Sequence, residues 1–176
     1  MTPSPLARPA GWESWTPTLR ATLMFIFRDH EVLLIRKKRG LGAGKINGPG
    51  GKIDPGESPA ECAIRETREE LLVEALQPEH AGLLHFQFTD GLALECDVFR
   101  ADQFSGSPTE TDEAIPLWTP TAHIPFHEMW ADDIHWLPGV IAGGSFRAYF
   151  HFDGDTMLSK HVHWDSSALY LAACEV

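Results

Sequence analysis

Apolar positions in this chain change their period several times, and each change marks an element. Arg20–Phe27 and Glu31–Arg36 are aliphatic, β-branched runs with turn residues Arg28–Asp29–His30 between them, so they predict a hairpin. Gly82–Phe88 and Leu92–Arg100 alternate about Asp90–Gly91 and predict a second. Ser145–Phe152 and Met157–His163 predict a third about Asp153–Gly154, and Pro116–Pro120 a short strand around Trp118. Helical periodicity occurs twice. Ser58 is a good N-cap, Pro59 suits the first helical position and Glu61 closes a capping box, so a helix is expected over Pro59–Leu72. A second is expected over Asp132–Ala142, interrupted by Pro138 and ended by Gly143–Gly144. Lys37–Gly51, with Gly40, Gly42, Gly44, Gly48, Gly50 and Gly51, reads as an irregular loop. Strands with two interspersed helices predict an α/β or α+β layered domain.

At 100° per residue, Glu66, Glu69 and Glu70 fall on one face of the first helix. Ala60, Ile64, Thr67 and Leu71 fall on the opposite face, expected to be the buried one. Like charges at this spacing repel by a few tenths of a kcal/mol per exposed pair, roughly. Oxygen-seeking divalent cations offset such repulsion, and Mg²⁺ commonly takes one or two carboxylates plus substrate phosphates. The plain alternative is the solvated face of an amphipathic helix. Arg65, beside Glu66, is placed to pair with Glu57 and brace the loop.

Charge narrows the partners. The net charge is −11 over 176 residues, which argues against binding a nucleic-acid polymer. A small anionic substrate remains compatible, provided a cation or a basic pocket neutralises it. The densest basic patch, Lys37, Lys38, Arg39 and Lys45, lies in the glycine-rich loop. No apolar run is long enough to span a membrane, and Met1–Pro17 lacks the apolar core of a signal peptide. Cys62, Cys96 and Cys174 show no metal or disulfide spacing. A cytoplasmic, monomeric protein with a small-molecule partner is expected.

Gly51, then Glu57, then Arg65–Glu66–Thr67–Arg68–Glu69–Glu70 resembles the Nudix box. Leu72 stands where that pattern has glycine, so the turn after the helix is expected to differ. Lys37–Gly40, Gly42–Gly44, Asn47–Gly48, Gly50–Lys52, Ile124–Phe126, Met129–Trp130 and Asp132–Asp133 resemble the MutT-homologue branch, the oxidised purine nucleoside triphosphatases. The resemblance implies an α/β/α sandwich around a mixed β-sheet over residues 20–163, between an arm (1–19) and a tail (164–176). It also implies Mg²⁺, replaceable by Mn²⁺, on the Gly51 carbonyl, Glu66, Glu69 and Glu70. Glu110 matches a further acidic position, with Glu113 its rival. One helix glutamate deprotonates water, Glu69 in the first instance and Glu66 in the second.

For the base, the resemblance implies that Asp132 and Asp133 read the purine edge beside Trp130. An acid in an apolar pocket next to another acid has a raised pKa and donates as a neutral group. Read alone, Asp132 is more simply a helix N-cap and Asp133 a first-turn acid. Asn47, Thr22, Phe86 and Phe88 match pocket positions, and Lys37 is a candidate phosphate contact. Leu41 and Ile46 stand where vertebrate relatives carry aromatics. The implied reaction is hydrolysis of modified purine nucleoside triphosphates such as 8-oxo-dGTP to monophosphate and pyrophosphate. Two alternatives remain at this point: a diphosphatase for ADP-ribose or dinucleotide polyphosphates, and a non-catalytic nucleotide-sensing domain.

Overall fold

A computed structural model describes residues 7–165. The strands are β1 (Leu19–Arg28), β2 (Glu31–Lys37), β3 (Ile46–Asn47), β4 (Val73–Leu76), β5 (Glu79–Phe88), β6 (Ala93–Ala101), β7 (Gln103–Gly106), β8 (Ala114–Pro120), β9 (Phe146–Asp153) and β10 (Thr156–Trp164). The helices are α1 (Pro59–Leu71) and α2 (Asp133–Ile141). Eight strands form one mixed sheet in the order β10-β9-β5-β6-β1-β2-β3, with β8 on the other side of β2, while β4 and β7 pair separately. β1 with β6 and β5 with β9 are parallel pairs.

Strict alternation divides this sheet between two cores. On β1, Phe25 faces one way with Leu23 and Phe27, while Met24 and Ile26 face the other. On β2, Val32 and Leu34 oppose Leu33 and Ile35 in the same manner. The first side is sealed by Trp136, Leu137 and Val140 of α2. The second is sealed by Ala63 and Leu71 of α1. Helices on both faces of a mixed sheet make the α/β/α sandwich.

Two local departures place the site. β1 and β2 pair only at their hairpin end, through Ile26–Leu33, Phe27–Val32 and Arg28–Glu31. Beyond it they splay, and residues 46–53 fill the gap. Ile46 and Asn47 pair with Arg36 and Ile35 of β2. The amides of Thr22 and Met24 on β1 donate to the carbonyls of Gly51 and Pro49. The glycine-rich segment is thus partly sheet, with positive φ confined to Gly40, Gly42 and Gly44.

The second departure is α1. Its capping box forms as expected, with Glu61 N–H on Ser58 and Ser58 N–H on Glu61. Leu72, however, adopts the left-handed conformation that glycine would take, φ 59°, ψ 33°. The turn keeps the glycine geometry with a leucine in it, contrary to the expected change. The buried face is also rotated from expectation: Cys62, Ala63, Thr67, Glu70 and Leu71 are buried, and Ala60 and Ile64 only partly.

Residues 7–18 run along the sheet surface, most of them exposed, and are docked by one buried side chain. Trp12 is 1% exposed against the sheet. Residues 1–6 and most of the expected tail, with Cys174, lie outside the described residues. Among those described, no helix is long and apolar enough to cross a membrane.

Candidate active site

The splay of β1 and β2 opens a cleft at the end of the sheet. Its apolar wall comes from Leu84, Phe86 and Phe88 of β5, Cys96 of β6 and Phe152 of β9. Thr22, Lys37, Leu41, Asn47, Gly50, Gly51, Trp130, Asp132 and Asp133 complete the lining. Every expected substrate contact therefore meets in one cavity. Ile46 does not: it is buried in the α2-side core, because its β3 register turns the side chain inward.

At one end of the cleft, two glycines bring the backbone against α1. A Cβ on Gly50 would stand 1.9 Å from the Thr22 carbonyl oxygen, because the segment runs tight along β1. A Cβ on Gly51 would stand 2.4–2.6 Å from the Glu66 carboxyl atoms. Glu70 turns inward, is 3% exposed, and accepts the Gly50 N–H at 3.0 Å. Burial pushes its carboxyl up to about 7 despite that bond and the charge of Lys37. Burial also raises Glu66, against the opposing pull of Arg65. The acidic fan is hence not a solvated face.

Arg65 organises the acids that remain. Its Nε and Nη2 fork onto Glu57 at 2.7 and 2.9 Å, Nη2 also reaches the Lys52 carbonyl at 3.1 Å, and Nη1 reaches Glu66 at 2.7 Å and Glu69 at 3.2 Å. The fork holds the Glu57 carboxyl down at about 2. The expected brace of Glu57 by Arg65 is present. Glu69 is half-exposed on the Arg65 guanidinium.

The two loop acids are each held by a basic side chain. Glu110 is bound by Lys38 at 2.5 Å and largely exposed. Glu113, paired with Arg39, is the loop acid whose charge raises Glu66 and Glu70.

Among the described residues, no three His, Cys, Asp or Glu side chains stand together as a ready cage. The donors nevertheless fit a divalent cation. Glu66 and Glu70 are like-charged and partly desolvated, a state that a nearby cation relieves. Lacking a Cβ, Gly51 lets the Glu66 carboxyl come directly against its backbone. Its carbonyl accepts the Thr22 amide at 2.9 Å and has a second lone pair to offer.

At the other end sit the two aspartates. Asp132 occupies the N-cap position of α2 but makes no capping bond. Its Oδ2 instead accepts Trp136 Nε1–H at 2.8 Å, and its Oδ1 is buried without a partner. Burial pushes its carboxyl up to about 6. Asp133 accepts the Trp130 amide at 3.1 Å. Burial, then the charge of Asp132, raises it well above the aspartate range. The simple capping role read from the sequence is therefore replaced by a pair of buried acids.

Nearby polar groups are accounted for. Asn47 Oδ1 accepts the Gly48 N–H at 2.8 Å, which leaves its amide hydrogens free for other partners. Thr22 Oγ1 shares a hydrogen bond with Cys62 Sγ at 3.4 Å. Trp136 and Cys96 also line the cleft, and Lys45 of the basic patch stands beside it, places that the sequence does not assign them. Lys45 Nζ lies 5.0 Å over the Trp130 ring. Cys96 signals itself only once β6 is known to face Leu84 of β5.

Residues 17–140 match the NUDIX domain family model. The oxidized purine nucleoside triphosphate hydrolase of Danio rerio is 42% identical over 143 residues, covering 80% of this chain and 90% of that protein. The Mus musculus protein of the same name is 39% identical over 140 residues, covering 78% and 90%. Among solved structures, a MutT protein from Bacillus halodurans superposes with TM-score 0.74 at 26% identity, covering 82% of this chain and 97% of that one. With the motif spacing, the layered sheet and the glycine–glutamate junction, these likenesses establish that the chain belongs to the Nudix family of hydrolases.

Proposed function

We propose that this chain hydrolyses modified purine nucleoside triphosphates, 8-oxo-dGTP among them, to the monophosphate and pyrophosphate, and so cleanses the nucleotide pool from which DNA is made. The observation that carries this reading is the pair of buried, raised aspartates in an apolar cleft also lined by Gly50 and Gly51, which stand against the α1 glutamates. A neutral carboxyl donates and an ionised one accepts, so Asp132 and Asp133 together match a purine edge that offers both. Asp132 Oδ1, buried without a partner, is a group that a base would satisfy. The cavity, about 190 Å³, is smaller than the ~300–1,000 Å³ of a drug-sized ligand site. It takes the flat base and leaves the phosphates toward Lys37 and Gly51. The relatives in zebrafish and mouse carry this activity in their names.

Mg²⁺, with Mn²⁺ as substitute, is the cation proposed for Glu66, Glu69, Glu70 and the Gly51 carbonyl; it polarises phosphoryl oxygens and acidifies water. Glu110 remains the proposed further acid, and Glu113, whose charge is felt at Glu66 and Glu70, is its rival. Glu69, the most exposed of the three helix glutamates, takes the proton from the attacking water, with Glu66 the alternative. Lys37 adds a positive charge at the phosphates. One chain supplies every group, which suits a monomer acting in the cytoplasm.

Steady-state hydrolysis of a nucleotide panel with Mg²⁺ tests the proposal. Oxidised purine triphosphates are expected to be turned over best, with activity abolished by chelation. Equal or better turnover of an ADP-sugar would overturn it.

A further inference from the structure

Before residue 17, where the family match opens, the chain carries a segment that the proposed chemistry does not use. It crosses the part of the sheet that α1 leaves bare. Trp12 meets Tyr149 edge-on at 5.1 Å and lies 4.7 Å from His151 and 5.4 Å from Trp15. Trp15 sets an edge on His85 at 5.3 Å and donates Nε1–H to Gln87 Oε1 at 2.9 Å. His85 stacks on Tyr149 at 4.4 Å with 10° between the planes. Arg8 Nη1 ties the segment together, donating to the carbonyls of Trp12 at 3.3 Å and Trp15 at 2.6 Å.

His85 and Gln87 of β5, and Tyr149 and His151 of β9, alternate with the cleft wall. The residues between them are Leu84, Phe86, Phe88 and Phe152, which face the cavity. The two strands are paired in register, His85 beside Tyr149 and Phe86 beside Phe150. The segment and the cavity are therefore opposite sides of the same two strands. Trp130 in turn leans edge-on against Phe88 at 6.2 Å and Phe152 at 5.6 Å. A shift of β5 or β9 reaches the base-stacking ring through these contacts. The phosphate end is held by β1 and α1 rather than by β5 or β9, through Thr22 N–H on Gly51 and Gly50 N–H on Glu70.

We infer that the Trp12–Trp15 strap is a positioning element for base recognition: it holds the β5–β9 pair from behind and so sets the wall formed by Phe86, Phe88, Phe152 and Trp130. The inference rests on the reading of this cleft as a purine site. A wall fixed in advance spares the nucleotide the cost of ordering it, so the strap acts on affinity and base preference. It leaves the bond-breaking step to Arg65, the helix glutamates and Gly51.

The test compares the full chain with Trp12→Ala, Trp12→Phe and Trp15→Phe variants, using 8-oxo-dGTP and dCTP with Mg²⁺. Trp12→Ala is expected to raise KM for 8-oxo-dGTP roughly tenfold with kcat within about twofold, and to narrow the preference over dCTP. Trp12→Phe, which restores a ring, is expected to recover most of the wild-type KM. Trp15→Phe keeps the ring but loses the bond to Gln87, and serves if Trp12→Ala fails to fold; about a threefold rise in KM is expected. A folded Trp12→Ala protein with unchanged KM and preference overturns the strap's role. So does a loss confined to kcat, or a Trp15→Phe protein that matches wild type when Trp12→Ala is unfolded. A wild-type enzyme with no preference for the purine refutes the purine site itself, and is told apart by that control.

Discussion

Asp132→Asn isolates the buried acid at the base end of the cleft. In the wild type, Oδ2 accepts Trp136 Nε1–H and Oδ1 is sealed from water without a partner. Burial lifts the carboxyl from an aspartate's usual 3.8 to about 6. The sign follows from linkage. A pKa raised in the folded state means that the native protein holds its proton more tightly than the unfolded chain. That contribution is complete below about pH 4 and is lost as pH climbs to 6. The rise amounts to about 3 kcal/mol.

Asparagine has the same shape, keeps an oxygen for Trp136 and offers an N–H where the protonated acid offers an O–H. The two proteins are therefore expected to melt together near pH 4. By pH 8 the variant is expected to be the more stable protein by on the order of a few kcal/mol, because it has no charge to bury at position 132 and relieves Asp133 of that charge, which raises Tm by roughly 6–12 °C for a chain of this size. Thermal melts at pH 4, 5, 6, 7 and 8 read this directly, and the difference between the proteins cancels the surface carboxylates they share. A difference that stays flat across this range, or a wild type that gains on the variant as pH rises, would refute the buried ionisation. The same exchange fixes one member of the acid pair in a single hydrogen-bonding pattern, so discrimination among purine bases should change as well.

Two further outcomes follow from local geometry. Leu72→Gly removes the left-handed penalty of an L-residue, ~1–2 kcal/mol, and returns ~0.4–1 kcal/mol through the freer unfolded chain. Because Leu72 is 56% exposed, little packing is lost, and Tm should rise by about 2 °C. Leu72→Val should lower it, since a β-branched side chain fits that conformation worse. Gly51→Ala places a methyl 2.4–2.6 Å from the Glu66 carboxyl; kcat is expected to fall roughly 100-fold while the far-UV spectrum stays unchanged. Undiminished kcat would show that the Gly51–Glu66 junction is not part of the reacting site.

Where one local rule decides the outcome, the structure agrees with the sequence. The hairpins of β1–β2 and β9–β10 follow from alternation and turn residues, and the start of α1 from Ser58, Pro59 and Glu61. The brace of Glu57 by Arg65 follows because motif spacing fixes both partners. What lay hidden depends on which strand runs beside which. The opening between β1 and β2 cannot be read from either strand; it needs residues 46–53 to supply hydrogen bonds to both. Ile46 looks like a pocket residue until β3 pairs with Arg36 and turns it inward. Trp12 looks like part of an exposed proline-rich arm until β5 and β9 are found side by side with no helix over them.

Glu70 shows why such failures gather at the site. Helix arithmetic sets it beside Glu66 and Glu69, opposite the apolar face, and a charge is ordinarily left in water. In the folded chain it lies under the glycine segment, because Gly50, lacking a Cβ, brings an N–H within 3.0 Å of it. Asp132 and Asp133 break the same rule at the other end of the cleft. Each of these acids loses hydration and none gains a full complement of protein partners. A stable fold has no use for two such groups lining a cavity and a third against its Gly50 edge, whereas a ligand that brings a cation and its phosphates to Gly50 and Gly51 and a hydrogen-bonding base to the aspartates would satisfy all of them. Glu70, Asp132 and Asp133 are in this sense residues whose environment is completed by substrate, and the same energetic debt explains why replacing Asp132 should stabilise the empty protein while impairing its choice of base.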